Sequence, residues 1–313
     1  FRNKHPAIHP DLAPTSTMST TPAAPAATSA APIATAASEP FFDKGLANTV
    51  AAETQMSFID GGKGVLEYVG IDIDSLARSS TYEETVYLLW NTKLPTQSQL
   101  NALKSALQAE YEVPDAIYDM IRQIPKDAVP MHALRTLVSA LALHDPSATS
   151  SETTPAGIES AKRQALRLVA KTPTLIANFD RHRSGKAFVR PNKSFDIATN
   201  FLWMLNGEKP TDAMARGLDI CLILHADHGL NASTFAGRVT IATLSDMYSA
   251  MTTAVGTLKG PLHGGANEEV MIMLDEIGTM DKVEPFIKGK LERKELIMGF
   301  GHRVYKAYDP RAT

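Results

Sequence analysis

From Thr81 onward the chain repeats one pattern: a capping residue, apolar side chains at helical spacing, then a stop. Thr81 and Glu84 form a capping-box pair ahead of Tyr82, Val86, Leu89 and Trp90. Thr96 and Gln99 repeat it ahead of Leu100, Leu103, Leu107 and Tyr111. Pro114 suits the first turn of a helix carrying Ile117, Ile121 and Ile124, and Leu134, Leu137, Val138 and Leu141 mark another. The same reading predicts helices over 155–180, 194–206 (stopped by Asn206-Gly207), 211–228, 233–257, 267–277 (stopped by Gly278) and 282–293. One segment departs from the pattern. Phe58 to Tyr68 holds Gly61, Gly62 and Gly64 between apolar runs, which predicts a single β-hairpin. Strands and helices do not alternate and no period of 20 to 50 residues recurs, so the expected class is all-α.

Residues 1–40 stand apart. From Leu12 to Pro40 the chain is mostly Ala, Pro, Thr and Ser without Lys or Arg, too poor in large apolar groups to offset its conformational entropy. They are expected to be disordered, with order from Phe41; they lack the basic start joined to a compact apolar run that a signal peptide needs, and from Leu12 on the arginines of a transit peptide. Met18 is a possible true start. With 44% hydrophobic and 21% charged residues, the remainder has enough apolar matter for a real core. A net charge of −3 without a basic run argues against nucleic acid, and no apolar run reaches the roughly 18 residues that span a bilayer. A lone cysteine, Cys221, forbids an internal disulfide and suits a reducing, cytoplasmic setting.

Histidines carry the chemistry. His225-Ala226-Asp227-His228-Gly229 is expected to close a helix; Leu262-His263-Gly264-Gly265-Ala266-Asn267 joins two helices; Gly299-Phe300-Gly301-His302 follows an apolar run, with Asp309-Pro310-Arg311 behind it. His263 falls just before a helix for which Asn267 is the expected N-cap. The positive end of that helix favours a neutral imidazole, a donor to a carbonyl oxygen becoming an enolate. Glu268 and Glu269 partly offset that field, and the plain alternative is a histidine in a linker. The Gly299-x-Gly301 turn can aim backbone N–H groups at a phosphate or an adenine edge, or can simply end a helix. Arg311 offers a fork for a carboxylate; most single arginines are only surface groups. His225 and His228, three apart on a predicted helix with Asp227 between them, could hold a metal. That makes a metal-dependent phosphohydrolase the rival from another class, although further ligands at usual spacing are missing. A non-catalytic helical scaffold with capping histidines is the third alternative.

Taken together and in order, these segments resemble the citrate synthase family, from Phe41 to the end of the chain. Lys44-Gly45-Leu46, Ile59-Asp60-Gly61 and Leu66-Glu67-Tyr68 resemble its opening hairpin, and Asn200 to Leu205 a helix of its large domain. The resemblance implies condensation of acetyl-CoA with oxaloacetate and water to citrate and CoA, the first step of the tricarboxylic acid cycle. His263 would hydrogen-bond the thioester carbonyl, and His302 the oxaloacetate carbonyl. His228 and Arg311 would hold oxaloacetate with Asn231 nearby; Gly299, Phe300 and Gly301 would sit by the CoA adenine and Lys306 by its phosphates. Neither a metal nor a permanently bound cofactor is implied. The resemblance also implies a large domain over 41–264, a smaller one over 265–313, His263 at the hinge and a homodimer. The predicted helices near 81–144 and 211–257 have the wide apolar faces a dimer needs.

The family's catalytic aspartate and two more substrate arginines are expected beyond Thr313. The chain as given is therefore expected to be inactive alone and its gene to continue. A 2-methylcitrate synthase using propionyl-CoA is the nearest alternative, since one methylene changes pocket selectivity by only about 1–3 kcal/mol.

Overall fold

The computed structural model describes residues 51–149, 152–302 and 304–312. The leader over 1–40, Met18, the expected start of order at Phe41 and Lys44-Gly45-Leu46 lie outside those residues. Among the described residues the chain is all-α, with twelve α-helices and one small sheet. The expected hairpin is there: β1 (Ser57–Asp60) pairs antiparallel with β2 (Val65–Tyr68), Phe58 opposite Glu67. A third strand, β3 (Ile71–Asp72), extends it on the other side of β2, two residues too short to show in the sequence. Asp72 then caps α1 (Ile73–Ser79), a helix that sequence spacing did not disclose.

Capping chemistry accounts for most helix starts. Both expected capping boxes form, on α2 (Tyr82–Asn91) and α3 (Gln97–Ala109). After them come α4 (Asp115–Gln123) and α5 (Pro130–Leu141). Pro114 is the N-cap of α4 and not part of its first turn. The long α6 (Pro155–Arg183) and α7 (Ile197–Asn206) follow, the latter stopped at Gly207 by a left-handed φ of 86° as expected. Two predicted helices need correction. The one over 211–228 is α8 (Asp212–Leu224); His225 is its C-cap, and 226–230 are loop. The one over 233–257 is two helices, α9 (Ala232–Ala242) and α10 (Met247–Leu258), broken at Leu244 with φ 63° and restarted by Asp246, whose carboxylate accepts from the Ser249 N–H. Finally come α11 (Gly265–Ile277), ended at Gly278 as expected, and α12 (Val283–Glu292).

Two cores matter here. The larger packs Ile117 and Ile121 of α4, Leu137, Val138 and Leu141 of α5, Leu168, Leu175 and Phe179 of α6 and Tyr248 of α10. The smaller sets Leu66 and Tyr68 of the sheet on Ile73 and Leu76 of α1, Leu88 of α2 and Ile223 of α8. Buried carboxylates tie helices end to side. Glu83 accepts from the Ile197 N–H at 3.0 Å and Asp219 from the Tyr82 N–H at 2.8 Å, so each satisfies an N–H that the start of α7 or α2 leaves unpaired. Burial pushes both carboxyls above their ordinary range. The smaller core thereby fixes the end of α8 against the hairpin, and the histidine segments grow from that junction.

Candidate active site

The loop after α8 is anchored from below. The Tyr68 hydroxyl, fully buried on β2, donates to the Asp227 carbonyl at 2.9 Å and accepts from the Asp227 N–H at 3.2 Å. Burial pushes the Tyr68 hydroxyl up to about 12, so it stays a protonated donor. The Asp227 carboxylate accepts from the Gly229 N–H at 2.9 Å, and Gly229 takes a φ of 63°, which turns the chain toward α9. Asn231 caps α9, its Oδ1 accepting from the Thr234 N–H at 3.0 Å.

Residues 304–311 are docked on the hairpin turn. The Lys306 N–H donates to the Gly61 carbonyl at 2.7 Å. A Cβ at Gly61 would stand 2.2 Å from the Val304 carbonyl oxygen, so only glycine admits this backbone.

That docking brings His228, His302, Tyr305 and Arg311 together. The His228 and His302 rings lie 5.5 Å apart, and Tyr305 is 5.5 Å from the first and 4.9 Å from the second. His228 Nε2 and the Tyr305 hydroxyl are hydrogen-bonded at 3.1 Å. His302 Nδ1 accepts from the N–H groups of Val304 and Tyr305 at 3.1 and 3.2 Å, so a neutral His302 carries its proton on Nε2. The Arg311 guanidinium stands 5.7 Å from the Tyr305 ring centre and is held by the Asp309 carboxylate at 2.6 and 2.9 Å. Burial and the Arg311 charge hold both histidines below their ordinary value, which favours neutral rings. Burial acts to raise Asp309, but its hydrogen bonds from Arg311 outweigh that and hold it below the usual carboxylate range. Two neutral imidazoles beside one fixed cation form a cluster of donors suited to a small anion with a carbonyl.

His263 is placed separately. It precedes α11, but the helix starts at Gly265, so Asn267 lies inside the first turn and does not cap it. Gly264 takes the N-cap position without a side-chain bond. His263 Nε2 is held by the Ser233 hydroxyl at 2.7 Å, from the first turn of α9. Gly299 and Gly301 both have left-handed φ, 84° and 82°, as a tight turn requires, and carry Phe300 out into solvent.

The metal-site geometry that the rival reading needs at His225 and His228 is not formed. The helix ends before both residues, and exposed His225 turns its Nδ1 to the Cys221 carbonyl at 2.6 Å while His228 faces Tyr305. Among the described residues no three His, Cys, Asp or Glu side chains are grouped to hold a metal ion. A cleft of about 360 Å³ lined by Glu110, Asp145, Arg167, Lys171 and Tyr248 lies in the scaffold, apart from these histidines. Sequence reasoning missed Tyr305, Asp309 and Ser233. Asp309 sits inside a quoted segment and Tyr305 three residues after His302, but nothing in their spacing marks them, and Ser233 reaches His263 across 30 residues.

Comparison with known proteins identifies the family. The family described as "citrate synthase, C-terminal domain" matches residues 45–313. Citrate synthase from Deinococcus radiodurans is 49% identical over 86% of this chain and 70% of its own length, and that from Haloferax volcanii is 48% identical over 86% and 71%. Among solved structures, citrate synthase from Pyrobaculum aerophilum superposes with a TM-score of 0.79 at 41% identity, covering 86% of this chain and 68% of its own. The Thermoplasma acidophilum enzyme, solved as a ternary complex with carboxymethyl coenzyme A and oxaloacetate, gives 0.79 at 35% identity over 87% and 70%. The fold and these neighbours define an all-α acyltransferase. The chain belongs to the citrate synthase family.

Proposed function

We propose that the enzyme condenses acetyl-CoA with oxaloacetate and water to citrate and CoA, through the residues assembled above. The observation that carries this is the pairing of His228 and His302 beside Arg311, three donors for a dicarboxylate ketone in one cluster. Arg311, with His228, takes the oxaloacetate carboxylates; Asn231 lies close to this cluster at the start of α9. His302 presents Nε2–H to the keto oxygen, where charge grows as the carbon–carbon bond forms. His263 donates to the thioester carbonyl during enolisation; with Nε2 held by Ser233, the nitrogen turned to substrate is Nδ1. A donor cannot also take the methyl proton, so the base is a separate group. Gly299, Phe300 and Gly301 lie by the adenine of CoA and Lys306 by its phosphates, the turn at 299–301 leaving Phe300 exposed for stacking. The chemistry needs neither a metal nor a resident cofactor, because the three histidines and Arg311 supply the polarisation.

On the same reading, residues 41–264 are the large domain and 265–313 belong to the small one, with His263 at the hinge between α10 and α11. The enzyme is a homodimer whose interface includes α9 and α10, where Phe235, Val239 and Leu258 leave apolar surface open. It works in the cytoplasm at the entry of the tricarboxylic acid cycle; among the described residues no helix is long and apolar enough to cross a membrane.

The test is turnover of acetyl-CoA with oxaloacetate by the purified enzyme, with propionyl-CoA beside it and after dialysis against a chelator. Acetyl-CoA preferred, with activity kept after dialysis, is the expected result. Preference for propionyl-CoA would make it a 2-methylcitrate synthase, and failure to bind oxaloacetate would sink the assignment altogether.

A further inference from the structure

We infer that Tyr305 is a positioning residue for oxaloacetate binding: its hydroxyl donates to His228 Nε2, fixing that ring as the Nδ1–H tautomer, while its ring braces His302. The inference rests on the proposed oxaloacetate pocket. Tyr305 is the only side chain with ring contacts to both histidines among the described residues, and it is almost fully buried. Its hydroxyl meets His228 Nε2 at 3.1 Å. Its backbone N–H is also one of the two that fix His302 Nδ1, at 3.2 Å. One residue therefore sets the proton position on both rings. A phenol hydroxyl is a stronger donor than acceptor, and a neutral imidazole nitrogen is a good acceptor. Donation from Tyr305 therefore stabilises neutral His228, in the same sense as its burial.

The consequence is complementary. His302 is left with Nε2–H and His228 with Nδ1–H, so each neutral ring keeps one donor for the anion. Arg311 supplies the charge from beside Tyr305, 5.7 Å from its ring centre. Losing the hydroxyl frees His228 to change tautomer and tilt, and the other tautomer turns an acceptor to a carboxylate. Other charged or titratable groups acting on His228 are Arg311, His302, Asp309 and Asp227. None of these is altered by Tyr305→Phe, which keeps the ring and removes only the hydroxyl.

The experiment is nitrogen-15 spectroscopy of the imidazoles, with His228 assigned by substitution, on the chain and on its Tyr305→Phe variant, alongside calorimetric titration with oxaloacetate. In the unsubstituted protein, His228 Nε2 should give a pyridine-like signal and Nδ1 a pyrrole-like one. In Tyr305→Phe the two signals should average and the His228 titration midpoint should rise. Oxaloacetate affinity should fall about threefold to tenfold, the loss expected for one hydrogen bond. In the enzyme, the KM for oxaloacetate should rise while that for acetyl-CoA holds. A pyrrole-like Nε2 in the unsubstituted protein would overturn the proposal without recourse to any variant. Unchanged oxaloacetate affinity in Tyr305→Phe would overturn it as well. If neither protein binds oxaloacetate, the proposed function fails and takes this role with it, an outcome separate from a spectrum that contradicts Tyr305 while oxaloacetate still binds.

Discussion

Asp145 in the scaffold and His228 in the candidate site are both partly withdrawn from water, yet the chain satisfies them differently. The Asp145 carboxylate, at the junction of the 3₁₀ turn after α5 with α6 and α10, accepts from Arg167 at 2.7 and 2.8 Å, from the Ser147 N–H and hydroxyl at 2.9 and 2.7 Å, and from Tyr248 at 2.6 Å. Its oxygens are fully engaged by the protein itself. Among the described residues the His228 ring is hydrogen-bonded to one side chain, Tyr305, and the Arg311 beside it is fixed by a neighbour two residues away. A network saturated from within holds helices together. In the histidine cluster each ring keeps one nitrogen outside these bonds, His228 Nδ1 and His302 Nε2, and those nitrogens are the ones a ligand from outside would meet. Apolar packing follows the same division. Leu137 and Leu175 are wholly buried in the larger core, whereas Leu262, Met280, Leu296 and Phe300 around the α11–α12 region stand open to solvent.

Removing His263 should have the largest effect. His263→Ala is expected to lower kcat by about 10²–10³, with oxaloacetate affinity little changed, because its hydrogen bond strengthens as the enolate forms. Steady-state kinetics beside calorimetry read both; an equal loss in each would erase the distinction between His263 and the oxaloacetate pocket. Next comes Leu137→Ala, which should cost about 2–5 kcal/mol in denaturant melts through its cavity in the core. Asp145→Asn should cost about 2–3 kcal/mol. Burial opposes its ionisation, but hydrogen bonds from Tyr248, Ser147 and Arg167 hold its pKa at about 2, against an ordinary 3.8. Because the folded value is the lower one, this stabilisation is complete above about pH 4 and is lost as pH falls toward 2. Urea melts from pH 6 to pH 2 should show a steeper acid loss in the unsubstituted chain than in Asp145→Asn. Parallel acid limbs would contradict the account of Asp145. The smallest effect is expected at the open region: Leu296→Ser should change stability by less than about 0.5 kcal/mol. A loss like that of Leu137→Ala would show that Leu296 is packed after all.

Local chemistry was legible in the sequence, and chemistry across distance was not. Thr81 with Glu84 and Thr96 with Gln99 announce α2 and α3 because each cap is closed within four residues. Gly207 and Gly278 announce two helix ends because only their backbone accepts the required φ cheaply. The break between α9 and α10 was hidden because Leu244 takes a left-handed φ at a residue that rarely does so, and the following Ser245-Asp246 is a weak signal amid apolar spacing. The end of α8 was overrun for a related reason. Tyr68, some 160 residues away, pulls the Asp227 backbone out of the helix. His228, His302 and Arg311, which the structure brings together, were singled out because ordered motifs carry them. Tyr305 was not, since its role depends on a hairpin turn at Gly61 that docks the segment from the far end of the chain.

The most direct measurement is calorimetric titration of oxaloacetate into three proteins: unsubstituted, Arg311→Ala and His263→Ala. The account predicts saturable binding to the first, a loss of about tenfold to a hundredfold in Arg311→Ala, where a charged hydrogen-bond partner of a carboxylate is gone, and binding within about twofold of the first in His263→Ala. Oxaloacetate bound equally well without Arg311, or lost with His263, would contradict the division of the site on which the proposed chemistry depends.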